Sequence, residues 1–350
     1  MKSKIASLII LICLLTITPI SANETDKVLV PDTYAISNFI YNGVLGLAES
    51  EDIAKNNENL SLGDGIRINT LNKYHEVVAS SVIAYPLYNS ENKVMGIIQQ
   101  YPDSNGDIQY SYQELYAKEL GRALENTEKI CIVGSDTGTI IIGEKNYEYL
   151  EENELYSSKA IDEMLGAGSI ATNKRYALNP TIQSAYSYPN YAILSGYPTV
   201  GQGSSNPYWC WAACESSVLS YYGISVSVST IASGHGLESL SYVNGRLQAY
   251  SISTSNVMTT SSLSLYLIES YTNSGYPIIC GFVQSGSTSG HMVVINVYQI
   301  SSINTVKFMD PWGSGSNSFK TVSSFAPLTI SLTALSGTAT LHEYLIAYGS

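Results

Sequence analysis

Residues 202–223 read QGSSNPYWCWAACESSVLSYYG and carry the strongest structural signal in the chain. Asn206 is a good N-cap, Pro207 suits the first helical position, and the Ala-rich middle favours helix up to Gly223, a residue type that commonly ends one. The segment therefore predicts a buried helix with Cys210 in its first turns. Because the positive end of a helix dipole and a nearby imidazolium both lower the pKa of a thiol, Cys210 is a candidate nucleophile.

A single cysteine on a helix is more often an ordinary buried residue, so a catalytic role needs a partner. A Ser- and Gly-rich loop leads to His291, which opens an apolar strand over residues 292–298. The next predicted strand, residues 305–309, runs directly into Asp310. An imidazole at the mouth of a strand can face a cleft, and a neighbouring carboxylate can accept its Nδ1 proton and stabilise the imidazolium. Asp310 also begins an Asp-Pro turn, and the two roles are compatible.

Three short motifs, CWAA at 210–213, GH at 290–291 and DPWG at 310–313, resemble the C39-like branch of papain-like cysteine peptidases. The resemblance covers the chain from about Ile193 to its C-terminus. It implies an α+β fold in which a helical part carrying the cysteine packs on an antiparallel sheet carrying the histidine and the aspartate. It also implies peptide hydrolysis by a Cys-His-Asp triad, with no cofactor and no metal.

The same resemblance implies an oxyanion hole. In that family a Gln upstream of the cysteine shares the hole with the cysteine's own backbone N–H, which gives this role to Gln202. Gln202 lies eight positions before Cys210, whereas the resemblance predicts a separation of about six. A bulge at Ser204-Ser205 would accommodate the difference; otherwise Asn206 competes for the role.

Four further residues are predicted to contact substrate: Trp209, Trp211, Gly290 and Trp312. Trp312 either covers the histidine and aspartate and excludes water, or fills the core. His235, in a loop flanked by glycines, either lines the cleft or is exposed to solvent. No cysteine and histidine pair shows the short spacing of a zinc site.

The four cysteines that follow Cys13 are too sparse for a secreted disulfide scaffold. Cys214 lies one helical turn after Cys210, and Cys280 heads an apolar strand, so both are interpreted as buried structural thiols. A disulfide between these two stays open.

The N-terminal part predicts export and a precursor. Residues 1–22 combine a cationic start, an apolar run and small residues, which is typical of a secretory signal peptide; the alternative is a membrane anchor, which needs about 20 apolar residues. Residues 23–150 are predicted to form a small α+β prodomain, residues 151–192 a polar linker with a processing site at Lys174-Arg175, and residues 193–350 the peptidase domain. Within the prodomain, the patterns predict helices over 33–50 and 112–126, a hairpin of strands over 79–88 and 93–101, and short strands over 129–133 and 139–142.

The formal net charge of −12 and the pI near 4.8 argue against nucleic acid as a partner, since phosphate binding needs a basic surface. The predicted partners are therefore a protein or peptide substrate and the chain's own prodomain as inhibitor, with no stable insertion into a membrane. The predicted function is a secreted cysteine endopeptidase made as a zymogen. Two alternatives stay open: a cell-wall amidase or transpeptidase with the same triad, and a non-catalytic peptide-binding module.

Overall fold

The computed structural model describes most of the chain, namely residues 28–44, 59–71, 77–103, 105–125, 129–134, 139–143, 147–149, 158–179, 190–203, 206, 208–261, 263–284, 290–300, 304–321, 328–332 and 337–349. The predicted signal peptide lies outside these residues. Within them, no helix is long and apolar enough to cross a membrane.

The N-terminal half is an α+β domain built on a mainly antiparallel sheet. Strands β2 to β5 form a meander in which each strand pairs with the next, and β6 joins in parallel beside β2. The elements of this half are the helices α1 (Thr33–Asn38), α2 (Ala117–Leu124) and α3 (Ser158–Gly166), a π-helical segment (Phe39–Val44), and the strands β1 (Ser61–Leu62), β2 (Ile66–Leu71), β3 (Val77–Tyr88), β4 (Val94–Pro102), β5 (Ile108–Gln113), β6 (Lys129–Gly134), β7 (Thr139–Gly143), β8 (Tyr147–Tyr149), β9 (Ser169–Ile170) and β10 (Tyr176–Ala177).

The predicted hairpin is confirmed as β3 and β4, and the two predicted short strands as β6 and β7. The side chain of Asn89 fixes the hairpin turn, because its Oδ1 accepts the backbone N–H groups of Glu91 and Lys93. The helix predicted over residues 112–126 begins only at Ala117. The prediction began too early because Tyr112 and Gln113 are taken up by strand pairing.

The predicted linker needs correction. Residues 158–179 form helix α3 and the strands β9 and β10, and these two strands pair with β6 and β1 of the N-terminal sheet. Polar composition hid these elements, because each strand is only two residues long and takes its stability from the sheet that it joins. The rest of the predicted linker that precedes Asn190 lies outside the described residues.

The C-terminal half is an α+β domain whose sheet is antiparallel throughout its described pairings. The long strand β15 lies between β14 and β16, β14 also pairs with β19, and β16 with β17. The elements of this half are the helices α4 (Cys210–Tyr221), α5 (Val228–Ala232), α6 (Leu240–Ala249) and α7 (Leu265–Asn273), and the strands β11 (Asn190–Ile193), β12 (Ser253–Thr254), β13 (Met258–Thr259), β14 (Ile278–Gln284), β15 (Gly290–Ile300), β16 (Thr305–Asp310), β17 (Ser316–Thr321), β18 (Thr329–Leu332) and β19 (Gly337–Gly349).

Both faces of this sheet are buried, which explains why β15 is apolar from Met292 to Ile295 rather than alternating. Val293 and Ile295 pack into one core, while Met292 and Val294 pack into a second core that also contains helix α4. This arrangement fixes α4 against the sheet. The α+β fold predicted from the sequence, with the cysteine on a helix and the histidine and aspartate on strands, is confirmed.

Candidate active site

Cys210 is the first residue of helix α4. Trp209 occupies the N-cap position, and its side chain makes no capping hydrogen bond. The predicted start at Asn206 and Pro207 is therefore wrong. Asn206 instead takes part in a turn, in which its carbonyl accepts the N–H of Trp209 at 3.2 Å. The later start puts Cys210 at the positive end of the helix dipole. The predicted end is confirmed, since α4 stops at Tyr221 and Gly223 follows with a φ of 82°.

His291 and Asp310 form a buried pair on neighbouring strands. His291 Nε2 lies 2.8 Å from Asp310 Oδ1, and both side chains are almost completely buried. The bond uses Nε2, so the prediction that Nδ1 would face the carboxylate is wrong. Nδ1 is thereby left for other chemistry. The same Asp310 oxygen accepts the backbone N–H of Trp312 at 3.1 Å.

Burial and the neighbouring groups have opposite effects on the pKa values of His291 and Asp310. Burial alone would lower the pKa of His291, but Asp310 and the adjacent Cys210 raise it to about 10. Burial would raise the pKa of Asp310, yet His291, Lys320 and the Trp312 N–H hold it below its usual value. Lys320 is itself buried, which lowers the pKa of its amine to about 8 despite the attraction of Asp310. An imidazolium and a carboxylate therefore face each other at neutral pH.

Gln202 lies beside the turn that follows Asp310. Its backbone N–H donates to the Pro311 carbonyl at 2.7 Å, and the next N–H, of Gly203, donates to the Gly313 carbonyl at 2.8 Å. The side chain is buried, and its Oε1 has no hydrogen-bond partner in the described part of the chain. Gly201 makes this close approach feasible, since a Cβ there would meet the Ser314 carbonyl carbon at 2.1 Å.

Two of the residues predicted to bind substrate belong to the core. Trp211 is fully buried and donates its indole N–H to the Gly236 carbonyl at 2.8 Å, so it cannot contact substrate. Trp312 is 2% exposed, with its ring centroid 6.1 Å from that of His291 in an edge-on arrangement. Trp312 thus both covers the His291–Asp310 pair and fills the core, but it does not reach the substrate side. Trp209 is half-buried beside the N-terminus of α4.

A cleft of about 120 Å³ opens beside Cys210 and His291. Gly290 lines it, and its contact with substrate stays a prediction. Glu238, His342 and Glu343 also line the cleft and were not predicted, since nothing local marks a strand residue such as Glu343 as facing a cleft. His235 is exposed to solvent, with its Nδ1 3.1 Å from Glu238 Oε1. Of its two predicted placements, in the cleft or in solvent, the structure shows the second. The lining residues are Cys210, Leu237, Glu238, Gly281, Phe282, Val283, Gly290, His291, Met292, His342 and Glu343.

Cys131, Cys210, Cys214 and Cys280 are all free thiols. The open alternative of a Cys214–Cys280 disulfide is therefore excluded. Cys214 donates to the Met292 carbonyl at 3.2 Å, and burial raises its pKa and that of Cys280. Both are structural thiols, as interpreted. No group of three metal-ligating side chains occurs in the described ranges.

A thiol at the N-terminus of a buried helix, beside a His–Asp pair on an antiparallel sheet, defines the papain-like class of fold. Residues 187–329 match the model of the Peptidase_C39 like family, so this part of the chain is similar to C39-like cysteine peptidases. The match includes Cys210, His291 and Asp310, and it does not extend to the N-terminal domain. No curated protein shows a significant match to the chain.

Proposed function

We propose that the chain is a secreted cysteine endopeptidase, made as a precursor, in which Cys210, His291 and Asp310 form the catalytic triad. The observation that carries this proposal is the 2.8 Å bond between His291 Nε2 and Asp310 Oδ1, with Cys210 beside the same imidazole. The bond leaves Nδ1 of His291 to exchange a proton with the thiol. It also stabilises the imidazolium that must stand beside a thiolate.

The reaction has two steps. In acylation, the Cys210 thiolate attacks the peptide carbonyl, His291 gives its proton to the leaving amine, and a thioester remains on Cys210. In deacylation, His291 takes a proton from water while the water oxygen attacks the thioester carbon. The C–S bond then breaks, the acid product leaves, and the Cys210 thiolate and the His291 imidazolium are restored. Asp310 holds the imidazole ring throughout.

Two donors are proposed to stabilise the tetrahedral intermediates: the side-chain amide of Gln202 and the backbone N–H of Cys210. The burial of Gln202 against the turn that follows Asp310 supports this role. A preorganised donor of this kind typically contributes about 3–4 kcal/mol to the transition state. Trp312 shields the His291–Asp310 bond from water, which strengthens it.

Substrate class decides between the endopeptidase and the cell-wall amidase. The test incubates the protein with casein and, separately, with purified peptidoglycan, and identifies the released fragments by mass spectrometry. The endopeptidase predicts new peptide ends in casein. Release of cell-wall peptides without any cleavage of casein would replace it with the amidase.

The precursor part of the proposal rests on the order of the segments. A signal peptide over residues 1–22 would direct export, and the N-terminal domain would restrain the enzyme until the chain is cut. Arg175 stacks on Tyr88 with its guanidinium carbon 3.6 Å from the ring centroid, within strand-paired structure. We therefore propose a cut between Asn179 and Asn190 rather than at Lys174-Arg175.

Mass spectrometry of recombinant residues 23–350 tests the precursor. The wild type is expected to trim itself between Asn179 and Asn190, and the Cys210→Ala variant to stay intact. Full activity of the purified, uncut chain would contradict the precursor, and trimming of both proteins would point to an outside protease.

A further inference from the structure

The N-terminal domain meets the peptidase domain behind the active site. Strand β5 pairs with β17, so that Ser111 lies opposite Lys320, and β17 pairs with β16, whose last residue is Asp310. Among the described residues, those that line the cleft all belong to the C-terminal domain. The described part of the N-terminal domain therefore supports the strands of the site and does not fill the cleft.

The side chain of Tyr116, from the N-terminal domain, reaches the residues of the site. The hydroxyl of Tyr116 accepts the indole N–H of Trp312. Trp312 in turn donates its backbone N–H to Asp310 Oδ1 and packs edge-on against His291. A single hydroxyl thus holds the residue that touches both members of the buried pair. Its neighbour Leu115 packs against the same core as Trp312.

The backbone of Tyr116 is unusual for an aromatic residue. Its φ is 68° and its ψ is 4°, which is the left-handed region that side chains with a Cβ seldom occupy. Conformations of this kind are strained and persist where surrounding contacts hold them. Here the contacts are those that direct the Tyr116 side chain towards Trp312.

A second connection between the domains is a chain of buried polar groups. Gln99 Oε1 accepts the hydroxyls of Ser111 and Ser331, each at 2.9 Å, and thereby joins strands of both domains. The Ser331 carbonyl accepts the Lys320 ammonium at 2.5 Å. Lys320 lies close enough to Asp310 to help keep that carboxylate ionised. Separation of the domains would expose these buried polar groups to solvent and would leave β17 as an edge strand of the sheet.

We propose that the N-terminal domain is a permanent part of the active enzyme, and that Tyr116 acts as a positioning residue for Trp312, Asp310 and His291. The activity readout of this proposal rests on the proposed peptidase function. Inhibition of the uncut chain then depends on the intact connection between the domains, and the domain itself stays bound after the cut. Its detachment would cost activity rather than release it.

The first test compares Tyr116→Phe with Tyr41→Phe in the chain that has been cut between Asn179 and Asn190 and still holds both fragments. Tyr41 is a matched control because it is a buried tyrosine of the same domain whose hydroxyl has no partner among the described residues. Loss of one hydrogen bond at Tyr116 is expected to lower kcat about five-fold with KM unchanged. Tyr41→Phe is expected to retain the wild-type values.

A second readout does not depend on hydrolysis. NMR titration of ¹³C-labelled histidine rings gives the pKa of His291 directly, with the signal assigned by a His291→Ala variant. Tyr116→Phe is expected to lower the midpoint of His291 by about half a pH unit, because the Asp310 bond loosens. The groups that surround His291 and could contribute are Asp310, Cys210, Lys320 behind Asp310, and Glu238, His342 and Glu343 along the cleft.

The two readouts separate failure of this proposal from failure of the peptidase function. A shifted His291 midpoint in a protein that hydrolyses no peptide would support positioning and refute the function. An unshifted midpoint and an unchanged kcat in Tyr116→Phe would overturn the positioning role. A loss of thermal stability without either change would mean that the hydroxyl is merely structural, which also overturns it.

Persistence of the domain is tested by a cut in the full chain. Residues 181–188 are replaced by the recognition sequence of a site-specific protease, and the folded protein is cut and passed over a size-exclusion column. The two fragments are expected to elute together, with activity above that of the uncut chain. Separate elution of a fully active C-terminal fragment would overturn the proposal.

Discussion

His291 Nε2 and Asp310 Oδ1 lie 2.8 Å apart in the interior of the protein, on neighbouring antiparallel strands. Because Asp310 holds the imidazole through Nε2, the amide of an Asp310→Asn variant would reverse the donor and acceptor at this bond. We expect kcat to fall by about 10²–10⁴-fold. Steady-state hydrolysis of a casein-derived peptide measures the effect. Asp107→Asn, at an exposed position of the N-terminal domain, is the matched control.

The pH dependence of the same bond is a separate prediction. Burial lowers the pKa of His291, but Asp310 and Cys210 outweigh this effect and raise the pKa to about 10. Because the folded pKa lies above the unfolded one, the pair contributes its full stabilisation below about pH 6.5, and that stabilisation is lost as the pH rises through about 10. Hydrolysis is expected to decline over the same range, and in Asp310→Asn at a lower pH. A profile of kcat/KM against pH that is the same in both proteins would contradict this assignment.

Thiol reactivity should differ sharply among the four described cysteines. Burial raises the pKa of Cys131 to about 12 and also raises those of Cys214 and Cys280, so these three remain protonated at neutral pH. Cys210 opens on the cleft beside an imidazolium. Iodoacetamide at pH 7 is therefore expected to modify Cys210 alone, as read by peptide mass mapping of the folded protein. Equal modification of Cys214 would refute the interpretation of that residue as a buried structural thiol.

The oxyanion role of Gln202 predicts a loss that appears in kcat. Gln202→Ala removes a donor needed only when charge develops on the substrate oxygen, so kcat should fall about 10²–10³-fold with little change in KM. Gln248→Ala, at an exposed position on helix α6, is the control. An unaltered kcat in Gln202→Ala would transfer the role to another donor, with Asn206 the first to test.

A buried ion pair anchors the helix that carries Cys210. Glu215 is fully buried and accepts Arg246 Nε at 2.9 and 3.0 Å, and burial raises the pKa of Glu215 to about 7 although Arg246 lowers it. Removal of Arg246 leaves the carboxylate without a partner. We expect Arg246→Met to lower the free energy of unfolding by about 3 kcal/mol at pH 8.

The sign of the pH effect follows from the raised pKa. When a carboxyl group has a higher pKa in the folded protein than in the unfolded chain, the folded protein loses stability as the pH rises from the unfolded-state pKa to the folded-state pKa. The cost of Arg246→Met should therefore shrink at pH 5, where the carboxyl group can be protonated. Urea unfolding at the two pH values measures this difference, with Arg122→Met at an exposed position of α2 as the control. A larger loss at pH 5 than at pH 8 would contradict the assignment.

The elements of the C-terminal half could be predicted well from the sequence because its signals are local. The apolar runs around His291 and before Asp310 define strands, and the Ala-rich segment after Cys210 defines a helix. Other features depend on packing between distant segments. Trp211 and Trp312 face the core, the paired strands of residues 158–179 take their order from the N-terminal sheet, and Glu343 reaches the cleft from the far end of the chain. None of these follows from periodicity, because each is set by a partner far away in sequence.

Casein cleavage under reducing conditions shows whether Cys210 is the nucleophile of a peptidase. The chain carrying the cut between Asn179 and Asn190 is compared with its Cys210→Ala and Cys131→Ala variants, the latter removing a buried thiol of the N-terminal domain. The account predicts casein fragments from the wild type and from Cys131→Ala, and none from Cys210→Ala. Intact casein with the wild type, or equal cleavage by Cys210→Ala, would contradict it.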